Sequence, residues 1–146
     1  PVNDPDAKGV IMGLTLSHTR AHIYQACLEA IAYGIGQHFR GYQEIGMETG
    51  RLVAVGGGTK TEKWMQIVSD VTGKELQLGS VYGASYGDAL LAAKATGYIK
   101  SEEELERYIV YQKSVFPDQK RHETYQTYLD IYTDLYLQTR EIMHKL

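Results

Sequence analysis

The sequence predicts an α/β domain, and three observations carry that expectation. The apolar run Leu52–Val55 and the alternating Glu75–Leu78 have the length of strands rather than helices. The stretches around them repeat their apolar residues at intervals of three and four, the period of a helix with one buried face. A run of glycines, Gly56-Gly57-Gly58, stands where the first of these strands must turn into the next helix. Strands alternating with helices in this way build layered α/β sheets.

In chain order, Gly9–Leu16 (GVIMGLTL) reads as a short strand and turn. Ser17 or Thr19 is placed to cap a helix extending to about Gly41, with Ile23, Ala26, Cys27, Ala30, Ile31 and Gly34 on its buried face. Gly34, Gly36 and Gly41 weaken its second half and allow another backbone to approach. Tyr42–Gly50 is a polar turn, and Leu52–Val55 is a strand. Thr61 caps a helix over Glu62–Val71 that gathers Trp64, Ile67, Val68 and Val71 on one face, and Gly73 stops it. Glu75–Leu78 is a second short strand. Gly83–Gly97 is a thin helix of small residues, suited to packing close against a neighbour. Ser101-Glu102-Glu103-Glu104 has the pattern of a capping box and opens a short helix to about Tyr108. Val110–Phe116 is extended, and Pro117 ends it. The tail, 118–146, carries a long amphipathic helix over His122–His144, with Tyr125, Tyr128, Leu129, Tyr132, Leu135 and Tyr136 on the packed side. Three or four strands make a thin sheet against the usual five or six.

The chain has 146 residues, enough for one domain with a sizeable core. A formal net charge of −3 argues against nucleic-acid binding by general phosphate attraction. No apolar stretch approaches the ~20 residues of a membrane helix. The opening Pro1-Val2-Asn3-Asp4-Pro5 is polar, unlike a secretory leader, and its lack of methionine reads as a piece cut from a longer polypeptide. Cys27 has no second cysteine to pair with, which fits a cytoplasmic protein. Twelve tyrosines against two phenylalanines favour half-buried faces, so the tyrosine-rich closing helix is expected on a surface or against a missing partner.

The chemistry concentrates between Val55 and Lys60. A strand, a turn without side chains and a helix start make a platform for a flat or anionic ligand. Glycine lets the ligand reach main-chain atoms, and the helix start adds free N–H groups and a positive dipole end of roughly half a charge. The spacing is neither that of a Walker A loop, since Lys60-Thr61 follows too soon, nor that of a dinucleotide fingerprint, which needs glycine at Thr61. Taken alone, the triplet serves equally well as a ligand-free turn. His18 and His22 have the four-residue spacing of paired metal ligands but no third partner, and solvated histidines at a helix start account for them. Asp70 and Asp88 are possible cleft acids without a base; Asp70 near a helix end reads as solvated or locally bonded. Lys60 reads as a surface lysine and Cys27 as packing, and Gly83-x-x-x-Gly87 as a helix-packing motif in a non-membrane setting.

Three stretches together resemble the C-terminal part of an FGGY-family carbohydrate kinase, near the xylulokinase branch. Gly9-Val-Ile-Met-Gly-Leu-Thr15 with His18–Glu29 resembles the family's second signature region. Val53-Ala-Val-Gly-Gly-Gly-Thr-Lys60, with Trp64, Gln66 and Ser69–Gly73, resembles its adenosine-binding segment. Gly83–Ala93, with Gly97, resembles the small-residue helix that comes after it. The likeness covers about Gly9–Pro117; Gln25 stands where many members have arginine, and Cys27 where an aliphatic residue is common.

The resemblance implies an actin-like ATPase fold of two ribonuclease-H-like domains, of which residues 1–146 form the later part of the C-terminal, ATP-binding domain. It implies a fragment of an ATP-dependent sugar kinase, inactive by itself, that works with ATP and Mg2+ and meets a sugar such as xylulose through a missing N-terminal domain holding the catalytic aspartate. Gly57, Gly58 and Thr59 would line the adenine and ribose, Glu62 would reach their rim, and the Gly83–Ala93 helix would pack behind the loop. A truncated sheet would leave an open edge, so a homodimer is possible. The alternative is a non-catalytic, actin-like nucleotide-binding regulator.

Overall fold

The computed structural model describes residues 3–79 and 83–146; Pro1 and Val2 of the polar opening lie outside them. Among the described residues the sheet has three strands in the order β1-β2-β3. β1 (Leu52–Ala54) runs parallel to β2 (Leu76–Gly79), with Leu52 opposite Leu76 and Ala54 opposite Leu78. β3 (Tyr111–Val115) is antiparallel to β2, with Leu76 opposite Val115 and an irregular register at Leu78 and Gly79. Parallel neighbours need a crossover, and α2 (Glu62–Thr72) supplies it between β1 and β2.

Three helices build the core with that sheet: α1 (Arg20–Glu44), α2 and α5 (Gln119–Met143). The buried cluster joins Ala32 and Tyr33 of α1, Met65, Val68 and Val71 of α2, Leu76 and Leu78 of β2, Val115 of β3 and Leu129 of α5. Each fully buried aliphatic side chain contributes about 1.5–3 kcal/mol through the surface it removes from water. Of the three glycines expected to bring elements together along α1, only Gly36 does so. A Cβ there would stand 3.0 Å from Val71 Cγ1 and 3.1 Å from Leu129 Cδ2, whereas Gly34 and Gly41 face open space. α2 ends as expected on Gly73, which is left-handed (φ 66°) and whose missing Cβ leaves room for the His122 ring.

Several expectations are corrected. The face of α1 expected to be buried is not: Ala26, Cys27 and Ile31 are exposed, and the helix buries Ala32, Tyr33 and Gly36 instead. Gly9–Leu16 forms no strand, and Ile11, Met12, Leu14 and Leu16 are exposed. An extended segment needs a neighbour for its N–H and C=O groups, and among the described residues no strand pairs with it; the start of the chain is instead pinned through Asp4, which accepts hydrogen bonds from Tyr136 Oη (2.6 Å) and His144 Nε2 (2.8 Å). Those bonds hold the Asp4 carboxyl below the usual carboxylate range, Tyr136 contributing most. Asp70 is not solvated: it is 1% exposed. Its Oδ1 accepts from Gln66 Nε2 (2.9 Å) and the Asp118 amide (2.8 Å), and its Oδ2 from Arg121 Nε (2.7 Å). One carboxylate thus ties α2 to the junction of β3 and α5. Finally, α5 packs Tyr125 and Tyr132 on Tyr33 of α1, with ring centres 6.0 and 5.5 Å apart, while Tyr128 faces solvent. The closing helix thus lies on the surface with one face packed on α1, and Tyr128 departs from the packed side expected of it.

The tyrosine cluster sets an alkaline limit. Burial, and then the charge of Glu29, raises the Tyr33 phenol well above its ordinary value and pushes Tyr125 to about 12. A phenol near 10 in the unfolded chain that titrates higher in the fold favours the neutral, folded form. That contribution is complete below pH ~10 and is lost as pH rises through the folded values. The urea midpoint is expected to hold level to pH ~9.5 and fall between pH ~10 and ~12, and the double variant Tyr33→Phe/Tyr125→Phe to flatten that fall. An unchanged slope in the variant would contradict the assignment.

Candidate functional site

Both parallel strands deliver the chain to the same end of the sheet, the position at which open α/β sheets bind ligands. β1 leads through Val55 into Gly56, whose backbone (φ 90°, ψ −172°) suits glycine and turns the chain sharply. A single 3₁₀ turn comes next, over Gly57–Lys60. It is locked from within: the Thr59 amide (3.2 Å) and hydroxyl (2.7 Å) both donate to the Gly56 carbonyl, and the Thr61 amide donates to Gly58 (3.1 Å). β2 ends at Gly79, and Gly83 opens α3 (Ala84–Ala95).

Thr61 occupies the position before α2, yet its side chain caps nothing. The start of α2 therefore presents the amides of Glu62 and Lys63, and the positive end of its dipole, without a competing hydroxyl, while the Trp64 amide donates to the Thr61 carbonyl. Gly83 likewise brings no side-chain cap to α3. The bare turn and the uncapped start of α2 lie against each other at this end of the sheet.

The predicted residues differ in their surroundings. Gly57 is exposed, with nothing within 4 Å of the place a Cβ would occupy. Gly58 has its Cβ position filled by the Trp64 ring. The Thr59 hydroxyl and amide are both engaged by Gly56, which leaves its carbonyl and methyl group to any ligand. Glu62 is exposed and paired with Lys113 Nζ of β3. That hydrogen bond, then the lysine charge, holds its carboxyl below the ordinary range. Lys60 is exposed.

Other readings resolve structurally. The Thr19 amide donates to His22 Nδ1 (3.1 Å) and the Thr15 amide to His18 Nδ1 (2.9 Å), so both histidines close the turns before α1. Among the described residues no group of three or more histidine, cysteine, aspartate and glutamate side chains is placed to hold a metal ion. Asp88 is exposed. The thin helix α3 does not close behind the glycine turn as expected. None of its residues is buried, Leu91 is 68% exposed, and Gly87 faces open space. Its ties run to residues 102–108, through Tyr86 Oη to the Tyr108 carbonyl (2.8 Å) and Lys94 to Glu102. Sequence reasoning missed two contacts at this site, Lys113 on Glu62 and Trp64 under Gly58. No local signal joins the first pair; the second was within reach, because a large ring three residues into a helix lies beside the turn that precedes it.

Residues 1–96 match the model of the C-terminal domain of the FGGY family of carbohydrate kinases. The chain belongs to the FGGY family. This FGGY chain is 32% identical over 145 residues to the xylulose kinase of Escherichia coli, covering 98% of the chain and 30% of the relative. It is 28% identical over 144 residues to the xylulose kinase of Bacillus subtilis, covering 97% and 29%. The crystal structure of xylulose kinase from Rhodospirillum rubrum superposes with a TM-score of 0.85 at 32% identity, over 97% of the chain and 29% of that protein. The fold is thus the corresponding part of an actin-like ATPase, and the chain spans under a third of the length of these relatives.

Proposed function

We propose that the whole protein carrying this FGGY chain is an ATP-dependent sugar kinase acting on xylulose, and that this chain holds the adenosine end of ATP. The observation that carries the reading is the open side-chain-free face at Gly57, at the end of parallel strands and in front of an uncapped helix. A base or ribose packed there meets main-chain atoms directly, while Gly58 and Thr59 continue the surface. Glu62, steadied by Lys113, borders it and offers a carboxylate to a ribose hydroxyl or an exocyclic amine. ATP would supply the γ-phosphoryl group, and a bound Mg2+ would supply charge neutralisation for its transfer to a sugar hydroxyl. The residues of this corner fit the nucleoside; no residue of this chain is assigned to the metal or to the proton transfer.

The test is a coupled assay of the whole protein against xylulose, gluconate and glycerol with ATP. Phosphorylation is expected, fastest by kcat/KM on xylulose, with no turnover by residues 1–146 alone. Absence of ATP-dependent phosphorylation of any of the three would overturn the kinase reading, and preference for another acceptor would overturn xylulose.

The free edge of β1 adds a consequence. An apolar groove of about 350 Å3 runs beside it, walled by Ile35, Phe39, Val53, Val55 and Trp64. Unpaired strand edges beside apolar surface promote association. The isolated chain is therefore expected to self-associate, seen as a light-scattering mass above the 16.4 kDa monomer; a monomeric mass at ~100 µM would contradict this.

A further inference from the structure

Gly58 is held to glycine by space rather than by conformation. It lies in the 3₁₀ turn and is not among the glycines with positive φ, so its backbone would accept alanine. The room is taken by Trp64: a Cβ on Gly58 would lie 2.1 Å from Cζ3, 2.9 Å from Cε3 and 3.2 Å from Cη2 of the indole. Gly57, one residue earlier, meets nothing. The Trp64 indole also carries a buried Nε1 with no hydrogen-bond partner. An unsatisfied donor is a burden that an aliphatic side chain would not bring. The feature that sets tryptophan apart here is the reach of its six-membered ring under the turn.

We infer that Trp64 is a positioning residue: its ring, wedged beneath Gly58, sets the pitch of the Gly57–Lys60 turn and so the main-chain surface on which the nucleoside packs. The inference rests on the nucleoside reading of this corner. It divides the glycines by task, Gly57 facing the ligand and Gly58 facing the ring. It also makes the only tryptophan of the chain a reporter of the site.

The test uses the whole protein and ADP, with Gly58→Ala, Trp64→Leu and the double variant. Leucine keeps an apolar branch but lacks the three ring atoms that crowd Gly58. In the wild-type background Gly58→Ala is expected to weaken ADP about tenfold by calorimetry and to lower the urea midpoint. In the Trp64→Leu background the same change is expected to alter ADP affinity by less than about twofold and to leave the midpoint where it was. Trp64→Leu itself is expected to raise the KM for ATP about tenfold while kcat and the KM for sugar stay within about twofold. A residue that only stabilised the fold would instead reduce the active fraction, lowering kcat and leaving both KM values alone. Equal Gly58→Ala penalties in both backgrounds, with ADP bound by the wild type, would overturn the positioning role alone. Failure of the wild type to bind ADP would overturn the nucleoside reading and the positioning role together. Where Trp64→Leu does not fold, Trp64→Phe serves, since it also withdraws Cη2 and Cζ3 from the turn; unchanged KM for ATP in that variant would count against the role.

Discussion

Gly57→Leu is expected to raise the KM for ATP of the whole protein about thirtyfold while the KM for the sugar changes less than about twofold. The reason is the asymmetry of the corner. The Cβ position of Gly57 is open and its φ is not in the left-handed region, so a side chain can leave the backbone there without strain. Replacing glycine at a compatible position also restricts the unfolded chain, so stability is expected to hold or rise by a few tenths of a kcal/mol. The new side chain stands only in the way of whatever lies on the main chain. Losing close contact with a nucleoside at a cost of about 2 kcal/mol is a factor of about thirty in affinity. Steady-state kinetics with each substrate varied in turn reads the split. Equal rises in both KM values, or none, would show that the open face is not where the nucleotide rests.

Asp70→Ala is expected to cost about 2–4 kcal/mol of folding stability. The change strips three donors of one buried acceptor: Gln66 Nε2, the Asp118 amide and Arg121 Nε. The Arg121 side chain is 54% exposed and returns to water, which keeps the loss below that of a fully buried pair. The Asp118 residue is exposed as well, so its amide also reaches water, and the loss comes mainly from the bonds that join α2 to the start of α5. A urea midpoint lower by at least ~0.7 M checks this, given slopes of about 1–3 kcal/mol per molar for domains of this size. Asp70 lies about 12 Å along α2 from Glu62 at 1.5 Å per residue, so the KM for ATP of the folded fraction is expected to stay unchanged. A midpoint within ~0.2 M of wild type would contradict the role given to this carboxylate.

The parts of the fold that could be read from the chain are those fixed by local rules. The strand at Leu52, the face of α2 and its end at Gly73 come from period and from glycine chemistry, and the structure places them within a residue of expectation. The parts that could not be read depend on partners distant in sequence. Gly9–Leu16 has the apolar content of a strand but no neighbour to pair with. The small residues of Gly83–Gly97 indicate close packing, yet nothing in them names the surface, and among the described residues no surface covers them. Asp70 reads as an ordinary helix-end carboxylate because Arg121 and the Asp118 amide are about fifty residues away. At the candidate site, the glycine corner was legible as a bare turn. Its division into an open Gly57 and a filled Gly58 was not, because it depends on the direction in which the Trp64 side chain leaves α2.

The placement of the nucleoside is tested most directly by a crystal structure of the whole protein with ADP. The adenosine is expected to pack on the main chain of Gly57 and Thr59, in front of α2, with the Trp64 ring still beneath Gly58. Density for the base at another part of the protein, with the corner at Gly57 left open, would contradict the assignment.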